Sequence, residues 1–162
     1  MKKFFSVKTL TLSAAVAALY VVFTLLSNLL GLALGVFEFR LSEGLCILPV
    51  FTPMAIPGLV IGCVLANLLS GSIVLDVIFG SLATLLGAVL TRLLRKKPIL
   101  ALLPPILANT AVVPPLLYWA YGFQDTALPL LFLSIFLGEA LSAGVLGFFL
   151  YKALWPLRDK IQ

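Results

Sequence analysis

The stretch IVLDVIFGSLATLLGAVLTRLLRKKP (73–98) decides the fold. From Ile73 to Leu94 it carries one acid, Asp76, and one base, Arg92, among apolar and small residues. That run meets the requirement of about 20 residues for crossing a hydrocarbon core of roughly 30 Å. It closes on a basic knot, Arg92-Leu93-Leu94-Arg95-Lys96-Lys97, followed by Pro98. Asp76, Gly80, Thr84, Gly87 and Thr91 recur at helical spacing and so share one face. Small residues mark helix contacts in lipid, so this face turns inward and Asp76 points into a bundle rather than at acyl chains.

Composition extends the same reading to the whole chain. Of 162 residues, 62% are hydrophobic and 10% charged, with a mean hydropathy of +1.21. Soluble domains average about 45–50% apolar and about 25% charged residues, so in water this chain would expose apolar surface that no core could hide. Barrel strands would need short alternating segments, whereas these runs are long and continuously apolar. The expected class is all-α, a polytopic membrane protein whose length fits about six spans. We expect one transmembrane domain over 1–162, with helices at 9–30, 41–51, 58–69, 73–94, 99–121 and 127–154. Lys2, Lys3 and Lys8 before an apolar run, with Ala15-Val16-Ala17 as a cleavage site, resemble a signal peptide. The run continues to Leu30, which favours an uncleaved first helix.

On that first helix Ala14 and Ala18 stand four apart, a spacing that lets another helix approach closely in lipid. The approaching helix belongs either to this bundle or to a partner. Gly31 and Gly35 loosen the following loop, and Pro49, Pro53 and Pro57 should end helices on either side of a turn. Gly62, Ala66 and Ser70 form a second close-packing stripe. The fifth helix carries Pro104-Pro105 and Pro114-Pro115. Each pair frees carbonyls one turn earlier (Leu100, Ala101, Thr110 and Ala111), which at membrane depth must find another donor. Tyr118, Trp119 and Tyr121 end this helix like an interfacial belt.

Charge sets the orientation. With six spans, Lys2, Lys3, Lys8, Arg92, Arg95, Lys96, Lys97, Lys152, Arg158 and Lys160 fall on one side, and of the 11 basic residues Arg40 alone falls on the other. The positive-inside rule then puts both termini in the cytoplasm of a multi-pass protein in the cell membrane. Topology accounts for the net charge of +5, and nucleic-acid binding needs no part in it. There is no phosphate loop, no HExxH and no GxSxG, so nothing suggests an enzyme. With no histidine, and with Cys46 and Cys63 outside any CxxC pair, the chain offers no zinc site and no cofactor is expected. Both cysteines read as small apolar fillers.

Polar residues inside spans are the candidates for function. Glu38, Arg40, Glu43, Asn67 and Asp76 gather near the outer end of the bundle, joined by Trp119. Glu38 and Arg40 read equally well as solvated loop charges, and Arg40–Glu43 or Arg40–Asp76 as an internal ion pair. Glu139 lies deepest, near the middle of the last helix, as either a protonated structural acid or a functional one. Asn67 and Asn109 serve as interhelical glue or as ligand contacts, and Trp119 as an interface anchor or a stacking surface. The residues alone leave open a substrate-binding protein, a small channel or proton-coupled carrier using Asp76 and Glu139, and an assembly factor without a ligand.

RLSEGLCILPVFTPMAIPGLVIGCVLANLLSG (40–71), followed by Asp76 and FGSLATLLGA (79–88), resembles the QueT family of queuosine-precursor transporters. The ordered polar residues Arg40, Ser42, Glu43, Asn67, Asp76 and Ser81 carry the likeness, which is densest over 38–94. The resemblance implies a six-helix substrate-binding S component of an energy-coupling factor transporter, a branch of the ABC importers. It implies partners as well: a transmembrane coupling subunit and two cytoplasmic ATPases, docked through an alanine-xxx-alanine motif matched by Ala14 and Ala18. The implied small-molecule substrate is a 7-deazaguanine. A carboxylate of Asp76, Glu43 or Glu139 would accept its N–H groups, Asn67, Asn109 or Arg40 would donate to its carbonyl, and Trp119 or Tyr118 would stack on its ring. An S component for another vitamin is the nearest alternative.

Overall fold

In a computed structural model, which describes residues 7–33 and 38–158, the chain is helical, and no strand occurs among the described residues. Lys2, Lys3, Gly35 and Lys160 lie outside the described residues, as does the side chain of Lys8. Helix α1 is Val7–Leu29, α2 is Ala55–Leu69, α3 is Val74–Leu93, α4 is Leu103–Pro115, α5 is Leu128–Glu139 and α6 is Gly147–Leu154. Among the described residues, four continuous stretches are long and apolar enough to cross a membrane: Thr9–Leu29, Val74–Leu93, Leu100–Ala120 and Leu128–Leu157. Large apolar side chains such as Val22, Leu65, Leu82, Leu86 and Phe149 cover the outside, as a bilayer demands of a bundle that cannot hide them.

The expected second span, 41–51, is not an α-helix. Residues Leu41–Val50 form a 3-10 helix that accommodates Pro49, and almost all of it is buried. It is the central post of the bundle. Its first N–H, on Leu41, donates to Ser27 Oγ (2.9 Å) near the end of α1. At the other end Arg92 Nη1 donates to the carbonyls of Pro49 (3.0 Å) and Val50 (3.1 Å), which the helix end leaves without amide partners. Ten residues rising about 2.0 Å each cover about 20 Å, the depth of roughly 13 α-helical residues. The stretched geometry lets a short segment run from one set of helix ends to the other.

The prolines do less breaking than expected. Pro57 does not delay α2, which begins at Ala55 with Pro57 in its first turn, where the missing N–H is no loss. Pro104 and Pro105 likewise sit in the first turn of α4, behind a 3-10 turn at Leu100–Leu102. Ala101, whose carbonyl Pro105 deprives of a partner, accepts instead from Thr91 Oγ1 at 2.9 Å. Pro114 and Pro115 lead into a π-helical segment, Leu116–Ala120. A second π segment, Ala140–Leu146, follows directly on Glu139, and such wide turns recur at functional sites.

Close helix contacts fall where small residues stand. A β-carbon on Gly58 would lie 2.6 Å from the Ser13 carbonyl oxygen, and one on Gly62 2.7 Å from Tyr20 Cβ, so α2 packs its glycines into α1. Gly87 meets Pro105 in the same way between α3 and α4. The predicted face of α3 is buried throughout, at Asp76, Gly80, Thr84, Gly87 and Thr91. Gly71, at φ 71°, ends α2. Its N–H bonds to Leu68 O and that of Ser72 to Asn67 O (3.2 and 3.0 Å), which turns the chain tightly into α3 beside Asp76.

Candidate functional site

Polar side chains from α1, the central 3-10 helix, α2, α3, α4 and α5 converge at one end of the bundle. Glu43, on the first turn of the 3-10 helix and 2% exposed, accepts from three elements at once. Tyr20 Oη of α1 donates to its Oε1 in a short bond. Cys46 Sγ (3.2 Å) and Asn109 Nδ2 of α4 (3.3 Å) donate to its Oε2. The amide nitrogen of Asn109 also donates to Glu139 Oε1 at 3.0 Å, so it bridges two carboxyl groups. Glu139 is 7% exposed, and its Oε2 has no hydrogen-bond partner among the described residues.

Above this knot lies Arg40, whose Nη2 stands 3.2 Å from Glu38 Oε2 and whose Nη1 donates weakly to Asn67 Oδ1 at 3.4 Å. The pairing expected with Glu43 or Asp76 does not form; the loop partner Glu38 takes it. Glu38 raises the Arg40 pKa above the usual guanidinium range, against the opposing effect of burial. Burial pushes the Glu38 carboxyl up, Arg40 pulls it back, and Asp76 and Glu43 add to the rise. The Arg40 Nε is buried and has no partner among the described residues.

Asp76 completes the wall. Tyr121 Oη donates to its Oδ2 (3.1 Å) and accepts from the Ile73 N–H (3.3 Å). Burial, and then the nearby Asp76, raise the Tyr121 pKa. Gly80 leaves the space beside Asp76 open, since a β-carbon there would lie 3.3 Å from both Asn67 Nδ2 and Asp76 Oδ1. An outer chamber of about 300 Å³ is lined by residues that include Thr24, Asn28, Glu38, Arg40, Asn67, Asp76 and Tyr121. Glu38, Arg40 and Asp76 also line a small inner cavity of about 10 Å³, with Glu43, Asn109 and Glu139 at its base.

Of the residues proposed from sequence, Arg40, Glu43, Asn67, Asp76, Asn109 and Glu139 thus stand together. Trp119 does not join them. It is 64% exposed and lines an outward groove with Leu75, Phe79 and Pro115. The cause is its register: it follows the buried Leu117 by two positions, which carries it to the far side of the helix. Tyr121, four positions past Leu117, returns to the inner face, and its N–H closes the π-helical turn onto Leu116 O at 3.1 Å. Tyr118 packs among Val113, Leu117 and Leu131.

Sequence reasoning passed over Tyr20, Tyr121 and the two thiols. Tyr20 had a signal, a phenol in mid-helix far from either interface. The cysteines are more than fillers: Cys46 donates to Glu43, and Cys63 Sγ accepts from Thr84 Oγ1 (3.4 Å) and, at longer range, from Asn67 Nδ2 (3.7 Å). Ala14 and Ala18 are exposed. They line an apolar groove of about 1100 Å³ with residues that include Ser13, Val21, Pro57, Ile61 and Leu65.

An apolar helical bundle enclosing a polar, ligand-sized chamber at one end defines a multi-pass membrane protein of the transporter class. The sequence profile of the QueT transporter matches residues 10–156, and the chain belongs to the QueT transporter family. It is 43% identical over 72 residues to the queuosine precursor transporter QueT of Lactococcus lactis subsp. cremoris. That match covers 44% of this chain and 42% of the relative, less than half of either length. No solved structure matches the chain.

Proposed function

We propose that the protein is the substrate-binding S component of an energy-coupling factor transporter and captures a queuosine precursor, a 7-deazaguanine. One observation carries the reading of the site. Arg40 and Glu139 both line the inner cavity, and each has a buried atom, the donor Nε and the acceptor Oε2, without a partner among the described residues. Leaving such groups unpaired costs about 1–3 kcal/mol each, more for charged groups, and a heterocycle presenting both a carbonyl oxygen and N–H groups would satisfy both. The outer chamber, about 300 Å³, is at the small end of the roughly 300–1,000 Å³ range of ligand pockets and fits a bicyclic base.

Import energised by a coupling subunit and two ATPases is supported by the groove that Ala14 and Ala18 line and by a sequence without a nucleotide-binding motif. Both termini are cytoplasmic in this reading. Phe51, Leu94 and Tyr151 pack in one cluster, so the basic ends of α3 and α6 lie at the same end of the bundle.

Purified protein in nanodiscs, without ATP, should bind a 7-deazaguanine saturably and stoichiometrically. Binding of none, or ion flux through vesicles containing this chain alone, would overturn the proposal.

A further inference from the structure

We infer that the basic end of the bundle is a binding site for an anionic phospholipid, whose phosphate is held between the turn after α3 and the end of α6. This site lies at the opposite end from the polar chamber and goes beyond the functional reading above.

The sequence sets Arg92, Arg95, Lys96 and Lys97 in one short run, with Lys152 on α6 and Arg158 just past it. The fold brings the two groups to one place. The Lys97 N–H donates to Leu94 O (2.7 Å) and its carbonyl accepts from Ala101 (3.0 Å), so the basic run turns straight into the 3-10 turn at Leu100–Leu102. Leu94 from the run, and Tyr151 and Leu154 from α6, pack on one cluster that contains Phe51, Ala101 and Leu102. At the start of α6 a β-carbon on Gly147 would lie 3.1 Å from Leu102 Cδ2. The positive-inside rule fixes the side on which bases fall, but it does not require them to gather around one apolar cluster.

Their charge is unanswered by the described protein. Glu38, Glu43, Asp76 and Glu139 belong to the other end, and Asp125 lies in the turn between Tyr121 and α5 at that same end; Asp159 is outside the described residues. Arg95, Lys96 and Lys97 are exposed and form no ion pair among the described residues. Lys152 Nζ stands 5.3 Å from the centroid of the Phe148 ring, and the Arg158 guanidinium 4.3 Å from that of Trp155. An aromatic face steadies a cation without neutralising it.

Depth decides what the anion is. The apolar stretches Val74–Leu93 and Leu128–Leu157 stop just short of these bases, which places the bases at headgroup level. Leu93, Ile99, Trp155 and Leu157 stand exposed beside them in the chain. A soluble phosphate would use only the bases. A phospholipid uses both surfaces, its phosphate on the bases and its acyl chains on the apolar side chains, and basic clusters between helices at this depth take anionic headgroups.

The two tryptophans make the test. The full chain with Trp119→Phe keeps Trp155 at the basic end, and with Trp155→Phe it keeps Trp119 near the other. Brominated phosphatidylglycerol or brominated phosphatidylcholine, mixed into phosphatidylcholine vesicles, quenches a tryptophan that it touches and so reports which lipid each one gathers. Trp155 should prefer phosphatidylglycerol about 5- to 30-fold, the range for one to two bases near an anionic surface, while Trp119 shows no preference. The preference should fade between about 0.1 M and 1 M salt, as the Debye length falls from about 10 Å to about 3 Å. Lys96→Gln, Lys97→Gln and Lys152→Gln combined should remove most of it, and arginine at the same three positions should keep it. Equal quenching by the two lipids at Trp155, the same preference at both tryptophans, or a preference that survives the glutamine variant would overturn the inference. So would its abolition by excess glycerol phosphate at matched ionic strength, which would mean a site for a soluble anion.

Discussion

The backbone of Glu38 rests directly on Gly138: a β-carbon on Gly138 would overlap the Glu38 carbonyl oxygen and come within 2.9 Å of its carbon. The loop that carries Arg40 is thus seated on α5 one residue before Glu139. Backbone cannot yield as a flexible side chain does, so Gly138→Ala should lift the Glu38–Arg40 segment from its place. We expect ligand affinity to fall about tenfold or more, through misplacement of a charged donor, with the thermal midpoint lowered only modestly. An unchanged dissociation constant would show that the loop contributes nothing to binding.

Thr91 separates stability from binding. Its hydroxyl is the donor to the Ala101 carbonyl that Pro105 deprives of an amide, and it lines neither site cavity. Thr91→Val keeps the shape and removes the donor, which should destabilise the bundle by about 1–3 kcal/mol. Titration of the same variant should return the wild-type affinity; weakened binding would mean that the α3–α4 seam reaches the site.

At the outer wall, Asp76→Asn should weaken binding by about 1.5–3 kcal/mol if the carboxylate accepts charge-assisted bonds from the ligand. Tyr121→Phe removes only a neutral hydroxyl that orients Asp76 and should cost about 0.5–1.5 kcal/mol. Equal losses in the two variants would mean that Asp76 acts through Tyr121 and does not touch the ligand.

Ala14→Leu combined with Ala18→Leu fills the groove along α1 without touching any residue of the polar cluster. Uptake by cells carrying the complete transporter should be lost, while binding to the purified protein stays within about twofold, because exposed apolar changes leave the interior unaltered. Lost binding would place this face in the packing of the bundle itself.

How much of this could be read from sequence follows from which residues repeat. The inward face of α3 was legible because its small residues recur at helical spacing through a long run, and the carbonyl freed at Ala101 because proline chemistry is local. The helix ends at Gly31 and Gly71 announce themselves similarly. The 3-10 helix was not legible: a short, buried apolar run has no polar face to reveal its period, and what stretches it is the depth between Ser27 and Arg92. Trp119 was misassigned, and Tyr121 read only as a belt residue, for one reason. LLYWAY (116–121) is apolar and aromatic all round, and nothing in it marks Leu117 as the residue that faces inward.

The bridge from Asn109 to Glu43 also sets a timetable. The two residues are 66 positions apart, and at a synthesis rate of about 5–20 residues per second Glu43 leaves the ribosome roughly 3–13 s before Asn109. Tyr20 is already made by then, so its phenol can chaperone the carboxyl group through those seconds. Glu139, made last among the three, enters a bundle in which its amide partner is already waiting. The order of the chain thus delivers Glu43 and Glu139 each after at least one of its donors.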